Sequence, residues 1–99
     1  MGNKQAEFHE AASLEFEAAF VWYLERSERA ALRFVREFER AVASIVDSPE
    51  RFPAAITGTR RCLLQSFPFA VVYRELPSAI QVIAVAHGRR RPNYWKARL

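Results

Sequence analysis

The first half of the chain carries its apolar residues at the spacing of amphipathic helices. One set follows the i, i+4, i+7, i+8, i+11 pattern of a single helix face, and its members are Ala12, Phe16, Ala19, Phe20 and Tyr23. A second set repeats this type of pattern and consists of Ala31, Phe34, Phe38, Val42 and Ile45. Ser27 is a suitable N-cap for the second helix, and Ser48-Pro49 is expected to end it. Because the turn between the two helices is so short, we expect them to pack antiparallel as a hairpin.

The second half of the chain has the pattern of short strands. After the loop Ser48–Gly58, three segments are rich in Val, Ile, Leu and aromatic residues. These predicted strands are Arg61–Phe67, Ala70–Leu76 and Ala79–His87. Since only Pro68 and Pro77-Ser78 separate them, we expect a three-stranded antiparallel meander. The third strand is apolar almost throughout, which is typical of a strand in the middle of a sheet or covered on both faces.

The two ends of the chain complete the predicted fold. Lys4–His9 is predicted to add an N-terminal strand, and Asn93–Leu99 a short C-terminal helix. The chain has 99 residues, of which 51% are hydrophobic, and this indicates one ordered domain spanning residues 1–99. The expected class is α+β, with a twisted antiparallel sheet and the helix hairpin on one of its faces.

Several classes of protein and site are excluded by the composition. The single cysteine, Cys62, cannot form an internal disulfide and is interpreted as a small buried hydrophobe. The longest apolar run, Ala18–Leu24, is too short to span a bilayer, and no signal-peptide pattern is present. We therefore expect a cytoplasmic protein with no membrane partner. His9, interpreted as a surface residue, and His87 are too far apart for a zinc motif. No metal is therefore expected, and because the three glycines make no phosphate-binding loop, no cofactor is expected either.

Charge is divided unevenly between the two halves. Residues 1–50 hold ten acids against six bases, and Glu15 and Glu17 are expected largely off the apolar face of the first helix. Residues 51–99 hold nine bases against one acid, Glu75. Thirteen of the 15 basic residues are arginine, whose planar guanidinium suits two-pronged contact with phosphate or carboxylate. The second half is therefore expected to bind a polyanion or an acidic partner.

The segment His87–Trp95 combines arginine with aromatic residues. In it, three consecutive arginines precede Tyr94 and Trp95. Aromatic side chains beside arginines are a common means of stacking on bases. In a meander, Arg60 or Arg61 and Arg74 are expected near the same region. The candidate target-binding residues are Arg60, Arg61, Arg74, Arg89, Arg90, Arg91, Tyr94 and Trp95. For Trp95 the favoured interpretation is a core residue that docks the tail.

A metal-independent ribonuclease is a second possibility for the same segment. It needs a base, an acid and a cation for the phosphorane-like transition state. His87 would be the base, Tyr94 the acid, and Arg74 or Arg89 the cation. For His87 the favoured interpretation is structural, closing a strand by hydrogen bonding.

Five segments, taken in succession, resemble the ParE/RelE superfamily of type II toxins, particularly its ParE-like plasmid-stabilisation branch. They are Glu17–Tyr23, Ser48–Pro53, Arg61–Leu64, Phe67–Arg74 and His87–Trp95. The resemblance covers nearly the whole chain in order. It implies a small toxin that arrests growth and is neutralised by a cognate antitoxin encoded beside it. It also implies a helical hairpin against a twisted antiparallel sheet.

The target differs between the branches of this superfamily. ParE-like members poison DNA gyrase without known catalysis of their own, whereas RelE-like members cleave mRNA in the ribosomal A site with Arg, Lys and Tyr side chains. Under the RelE alternative, the resemblance implies that Arg61, Arg74 and Tyr94 stand where such groups act. The two lysines, Lys4 and Lys96, lie at the chain ends, and this departure favours the gyrase branch. A third alternative is an inactive homologue that only binds antitoxin, so enzymatic activity stays open here.

Overall fold

The structure is a computed structural model that describes residues 4–99, and in it two α-helices are followed by most of a four-stranded sheet. In chain order the elements are β1 (Gln5–Phe8), α1 (Glu10–Leu24), α2 (Glu28–Asp47), a 3-10 helix (Pro49–Arg51), β2 (Thr59–Leu63), β3 (Phe69–Glu75), β4 (Ala79–His87) and a 3-10 helix (Tyr94–Arg98). The predicted α+β class, the N-terminal strand, the two helices and the helical tail are confirmed.

The strands are ordered β1-β4-β3-β2 across the sheet. β2, β3 and β4 form the predicted antiparallel meander, and β4 is an interior strand as expected. β1, however, pairs with β4 in the parallel direction, so the prediction of a wholly antiparallel sheet is wrong. Tight turns force successive strands to run antiparallel. β1 is separated from the meander by the helix hairpin, so no tight turn dictates its direction.

The ends of β2 differ from the prediction because of the turns on either side of it. The strand begins at Thr59, just after two residues with left-handed backbone, Thr57 (φ 51°) and Gly58 (φ 74°). The Thr59 amide closes this turn by donating to the Ile56 carbonyl at 3.0 Å. β2 ends at Leu63, since the next turn is already closed by a 2.9 Å hydrogen bond from the Leu64 amide to the Phe69 carbonyl.

Side chains cap the beginnings of both helices. As predicted, Ser27 is the N-cap of α2, and its Oγ accepts from the Ala30 amide at 3.1 Å. α1 is capped by His9, whose Nδ1 accepts from the Ala11 amide at 3.0 Å, a role that its interpretation as a surface residue missed. α2 ends at Asp47, immediately before the predicted Ser48-Pro49 stop. Capping satisfies amides that the first helical turn leaves without partners.

The main core lies between the helix hairpin and one face of the sheet. Its buried helical residues include Ala12, Ala19, Phe34, Phe38 and Ile45, and its buried strand residues include Cys62, Val71, Tyr73, Ile80, Val82 and Val85. Cys62 is buried, as predicted, and burial raises the pKa of its thiol. No helix within residues 4–99 is both long and apolar enough to cross a membrane.

A smaller core covers part of the opposite face of the sheet. Val72, Ile83, Ala84 and Trp95 form it. The register shifts between Val72 and Tyr73, which pair with Ala84 and Val82, so Ile83 is an extra residue in β4. This bulge places Ile83 beside Ala84 in the smaller core, where Trp95 packs against them. The C-terminal 3-10 helix is thereby docked on the sheet.

Candidate functional site

Three of the predicted arginines gather around one groove on the face of the sheet opposite the helices. The groove lies between the β2–β3 edge and the loop 88–93, has a volume of about 360 Å³, and is called here the sheet groove. Arg61, Arg90 and Arg91 line it together with His87 and Tyr94. Arg61 reaches this face because it is paired with Val72, whose side chain is in the smaller core.

Arg60 and Arg74 make other contacts. Arg60 neighbours Arg61 in β2, and successive strand residues point to opposite faces. Its guanidinium donates to the Phe52 carbonyl at 2.8 Å. Arg74 is paired with Thr59, on the same face as Arg61, and its Nε donates to Gln81 Oε1 at 2.8 Å. Of the strand arginines, Arg61 is thus the one that lines the sheet groove with the arginines of the loop.

Arg89 lies on the helix side of the loop. Together with Arg90 it lines a second groove, between α1 and the ends of β3 and β4, of about 550 Å³. We call this the helix groove; its other lining residues include Glu15, Ala18, Ala19, Trp22, Phe69 and His87. Arg90 therefore stands at the rim shared by the two grooves.

His87 closes β4 by hydrogen bonding, as predicted. Its Nδ1 accepts from the Arg89 amide at 3.0 Å, and its ring packs edge-on against Phe69 with centroids 5.0 Å apart. The bond helps to turn the chain from β4 into the arginine loop. Within residues 4–99, no three His, Cys, Asp or Glu side chains are grouped so as to hold a metal ion.

The Tyr94 hydroxyl is bound to Glu15, which is not among the predicted site residues. It donates to Glu15 Oε2 at 2.6 Å. Burial, this hydrogen bond and the charge of Glu15 together raise the pKa of Tyr94 to about 12. The Arg90 guanidinium lies 3.8 Å from the centroid of the Tyr94 ring, which is a cation–π contact.

Glu15 and Arg98 are the residues of this region that sequence reasoning missed. Arg98 donates to both carboxylate oxygens of Glu15, at 2.9 and 2.8 Å. Glu15 stands three residues after Ala12 and four before Ala19, both of which are buried. An acid at that spacing lies on the flank of the buried helix face. This spacing could have indicated that Glu15 is partly buried, whereas nothing in the local sequence indicates that Glu15 contacts the tail.

Trp95 is 4% exposed and belongs to the smaller core, which confirms its interpretation as the residue that docks the tail. It holds the 3-10 helix that begins at Tyr94. Trp95 thus contributes to this region by anchoring Tyr94 and Arg98 beside Glu15.

A third groove, of about 690 Å³, opens between the two helices and β1. It is lined mainly by apolar side chains, namely Phe8, Phe16, Phe20, Val35, Phe38, Val42 and Ala43. We call it the hairpin groove. The helical pattern assigned Phe16, Phe20, Phe38 and Val42 to buried helix faces, but the sheet covers these faces only in part, since Phe16, Phe20 and Val42 are half-buried.

Comparison with known proteins agrees with the resemblance noted in the sequence. Residues 6–92 match the model of a family described as ParE toxin of type II toxin-antitoxin system, parDE. No match is found among curated proteins. Among solved structures, the chain is similar to one titled as the chromosomal ParDE TA system from P. aeruginosa, with a TM-score of 0.74 and 18% identity. The similarity covers 85% of this chain and 95% of the other, and it shows the fold.

Proposed function

Because the chain belongs to the family of ParE toxins of type II toxin–antitoxin systems, we propose that it arrests growth by poisoning DNA gyrase. We propose further that a cognate antitoxin neutralises it by covering its arginine surface, defined here as Arg61, Arg89, Arg90 and Arg91. The choice of gyrase rests on the resemblance to the ParE-like branch.

The observation that carries this proposal is the gathering of Arg61, Arg90 and Arg91 around the sheet groove. All three belong to the half of the chain that holds nine bases and one acid. Guanidinium groups on one concave surface suit a phosphate backbone or an acidic protein segment. A complex of gyrase with DNA offers both kinds of group.

The state of Tyr94 supports binding rather than ribonuclease chemistry. A general acid must release its proton near the pH at which the enzyme works. The Tyr94 hydroxyl already donates to Glu15, and its pKa is raised to about 12. Proton donation to a leaving group would require the hydroxyl to exchange a charge-assisted hydrogen bond for a substrate contact. His87 likewise has one ring nitrogen engaged, with the Arg89 amide.

The antitoxin segment proposed here is acidic and amphipathic. Its acidic side chains would face the arginine surface, and its apolar side chains would fit the adjoining helix groove, which Arg89 and Arg90 line together with Trp22. Disordered segments of this type fold on binding and cover large surfaces. Association of toxin and antitoxin should be tight and salt-sensitive, because charge pairs at an exposed rim are screened by salt.

The decisive experiment for the target is induced expression without antitoxin, followed by analysis of both DNA and RNA. We expect growth arrest with stabilised gyrase–DNA breaks and intact transcripts. Purified protein, gyrase and plasmid DNA should reproduce the breaks in vitro. Cleaved transcripts with normal supercoiling would contradict the gyrase proposal and favour the RelE-type nuclease. Unaffected growth would favour the inactive homologue.

Matched arginine variants test whether gyrase poisoning and antitoxin binding depend on the arginine surface. Arg61→Ala and Arg91→Ala should weaken both gyrase poisoning and antitoxin binding. Arg29→Ala removes an exposed arginine of α2 that is remote in sequence from the loop, and should leave both unchanged. Antitoxin affinity that did not fall when Arg89, Arg90 and Arg91 were made neutral, or when salt was raised, would contradict docking on this surface.

A further inference from the structure

The Glu15 carboxylate links its own helix, α1, to two other parts of the chain, β4 and the tail. Its Oε1 accepts from the Val85 amide at 3.0 Å and from Arg98 Nη1 at 2.9 Å. Its Oε2 accepts from the Tyr94 hydroxyl at 2.6 Å and from Arg98 Nη2 at 2.8 Å. A carboxylate has about four acceptor sites, so these bonds occupy its capacity. Glu15 is therefore held firmly between α1, β4 and the tail.

Arg90 is attached to this network through two contacts. Its guanidinium lies 3.8 Å from the centroid of the Tyr94 ring, and its Nη1 lies 3.9 Å from Glu15 Oε2. The Arg90 side chain is 53% exposed, so its charged end stays accessible to a partner. The orientation of Arg90 thus depends on a tyrosine ring whose hydroxyl is bound to Glu15.

The network orients Arg90 without cancelling its charge. Arg98 pairs with Glu15 through two short contacts and neutralises it, whereas the Arg90–Glu15 separation is longer. Taken together, the two arginines and one glutamate carry a net charge of about +1, so positive charge remains at the rim of the two grooves. A long side chain that is already oriented loses less conformational freedom when it binds.

We propose that Glu15 is a positioning residue for the arginine surface, and that through Tyr94 it holds the Arg90 guanidinium ready to bind a carboxylate or phosphate of the partner. The binding of a partner by Arg90 rests on the proposed function, whereas the orientation of Arg90 by Glu15 and Tyr94 does not.

The first test measures Arg90 directly, by NMR relaxation of its Nε–Hε group in the whole protein. Glu15→Gln keeps the size of the side chain but removes its charge. Tyr94→Phe keeps the ring and the Glu15–Arg98 pair but removes the hydroxyl. Both variants should give a clearly lower order parameter for Arg90. Glu17→Gln, which changes an exposed acid on the same helix, is the control and should have no effect. An unchanged Arg90 order parameter in folded Tyr94→Phe would overturn the proposal, even if Glu15→Gln failed to fold.

The second test is a double-mutant cycle on gyrase–DNA cleavage. Arg90→Ala should reduce potency by about tenfold, the size expected for one important interface contact. Glu15→Gln should cause a smaller loss, and it should add little when Arg90 is already replaced by alanine, because Glu15 acts through the Arg90 guanidinium. Independent, multiplicative losses would overturn the positioning role.

The two proposals fail in distinguishable ways. If the wild-type protein produced no gyrase cleavage, the proposed function would fail, and the order parameter of Arg90 would still decide whether Glu15 positions it. If wild-type cleavage were normal and only Arg90→Ala reduced it, the positioning proposal would fail and the proposed function would stand.

Discussion

Arg98 and Glu15 lie 83 positions apart in the sequence and form a two-pronged ion pair that joins the end of the chain to its first helix. Their side chains are only 17% and 16% exposed. Arg98 Nη1 also donates to the Ile83 carbonyl at 3.0 Å, and Glu15 accepts from the Val85 amide. β1 pairs with β4 only as far as Val82. The pair therefore supplies hydrogen-bond partners to the Ile83 carbonyl and the Val85 amide, which lie beyond the end of the β1–β4 pairing.

Removing Arg98 should destabilise the fold. Arg98→Ala leaves the Glu15 charge largely buried without its main partner, and it leaves the Ile83 carbonyl without this donor. We expect the free energy of unfolding to fall by about 2–3 kcal/mol, measured by urea denaturation at neutral pH. Arg29→Ala, at an exposed position of α2, should change it by less than about 0.5 kcal/mol. Equal effects from the two substitutions would show that the buried pair contributes nothing specific.

The stabilisation by Glu15 should depend on pH. Burial alone would raise the pKa of Glu15, but hydrogen bonds from Arg98, Tyr94 and the Val85 amide lower it below its usual value. A lowered pKa in the folded state gives stability that is present above the pKa of the unfolded chain, about 4.3 for glutamate, and is lost as pH falls below it. The difference in unfolding free energy between wild type and Glu15→Gln should therefore shrink between about pH 5 and pH 3. A difference that stayed constant over this range would contradict the lowered pKa.

The two tryptophans should report opposite environments. Trp22 is 51% exposed, whereas Trp95 is 4% exposed in the smaller core. Trp22→Phe should leave a blue-shifted emission that acrylamide quenches poorly, and Trp95→Phe should leave a red-shifted, easily quenched one. Trp95→Ala should also lower the unfolding free energy by about 3–5 kcal/mol, because it leaves a cavity in the smaller core and removes the side chain that packs the tail on the sheet. Equal quenching of the two single-tryptophan variants would contradict the docked position of the tail.

His9 should contribute to stability as the N-cap of α1. His9→Ala removes the acceptor of the Ala11 amide and should cost about 1 kcal/mol of unfolding free energy, measured by thermal or urea denaturation. His9→Asn supplies another side-chain acceptor and should recover most of that loss. If asparagine and alanine were equally destabilising, the contribution of His9 would lie in something other than capping.

The helices and the meander were predictable because their signals are local. Helical spacing of Phe34 and Phe38, a serine before the second helix and a proline after it each act within a few residues. The direction of β1 was not predictable, since it depends on pairing with β4, more than 70 residues later in the chain.

The candidate site was predictable in composition but not in arrangement. The charge division and the run of arginines pointed to the part of the chain that lines the sheet groove. Arg60 and Arg61 are neighbours with the same chemistry, yet the register of β2 on β3 sends only Arg61 to the sheet groove. Glu15 is expected from the helical spacing to lie largely off the apolar face of α1, but it binds Tyr94 and Arg98.

The residues alone thus established the class of fold, the elements of the meander and the presence of an arginine-rich region, because periodicity, capping and charge are properties of nearby residues. The mixed sheet, the capping of β4 by Glu15 and Arg98, and the orientation of Arg90 over Tyr94 depend on contacts between distant segments. Such contacts form only when the helices, strands and tail pack together and buried polar groups become hydrogen-bonded. They therefore depend on the tertiary structure of the whole chain.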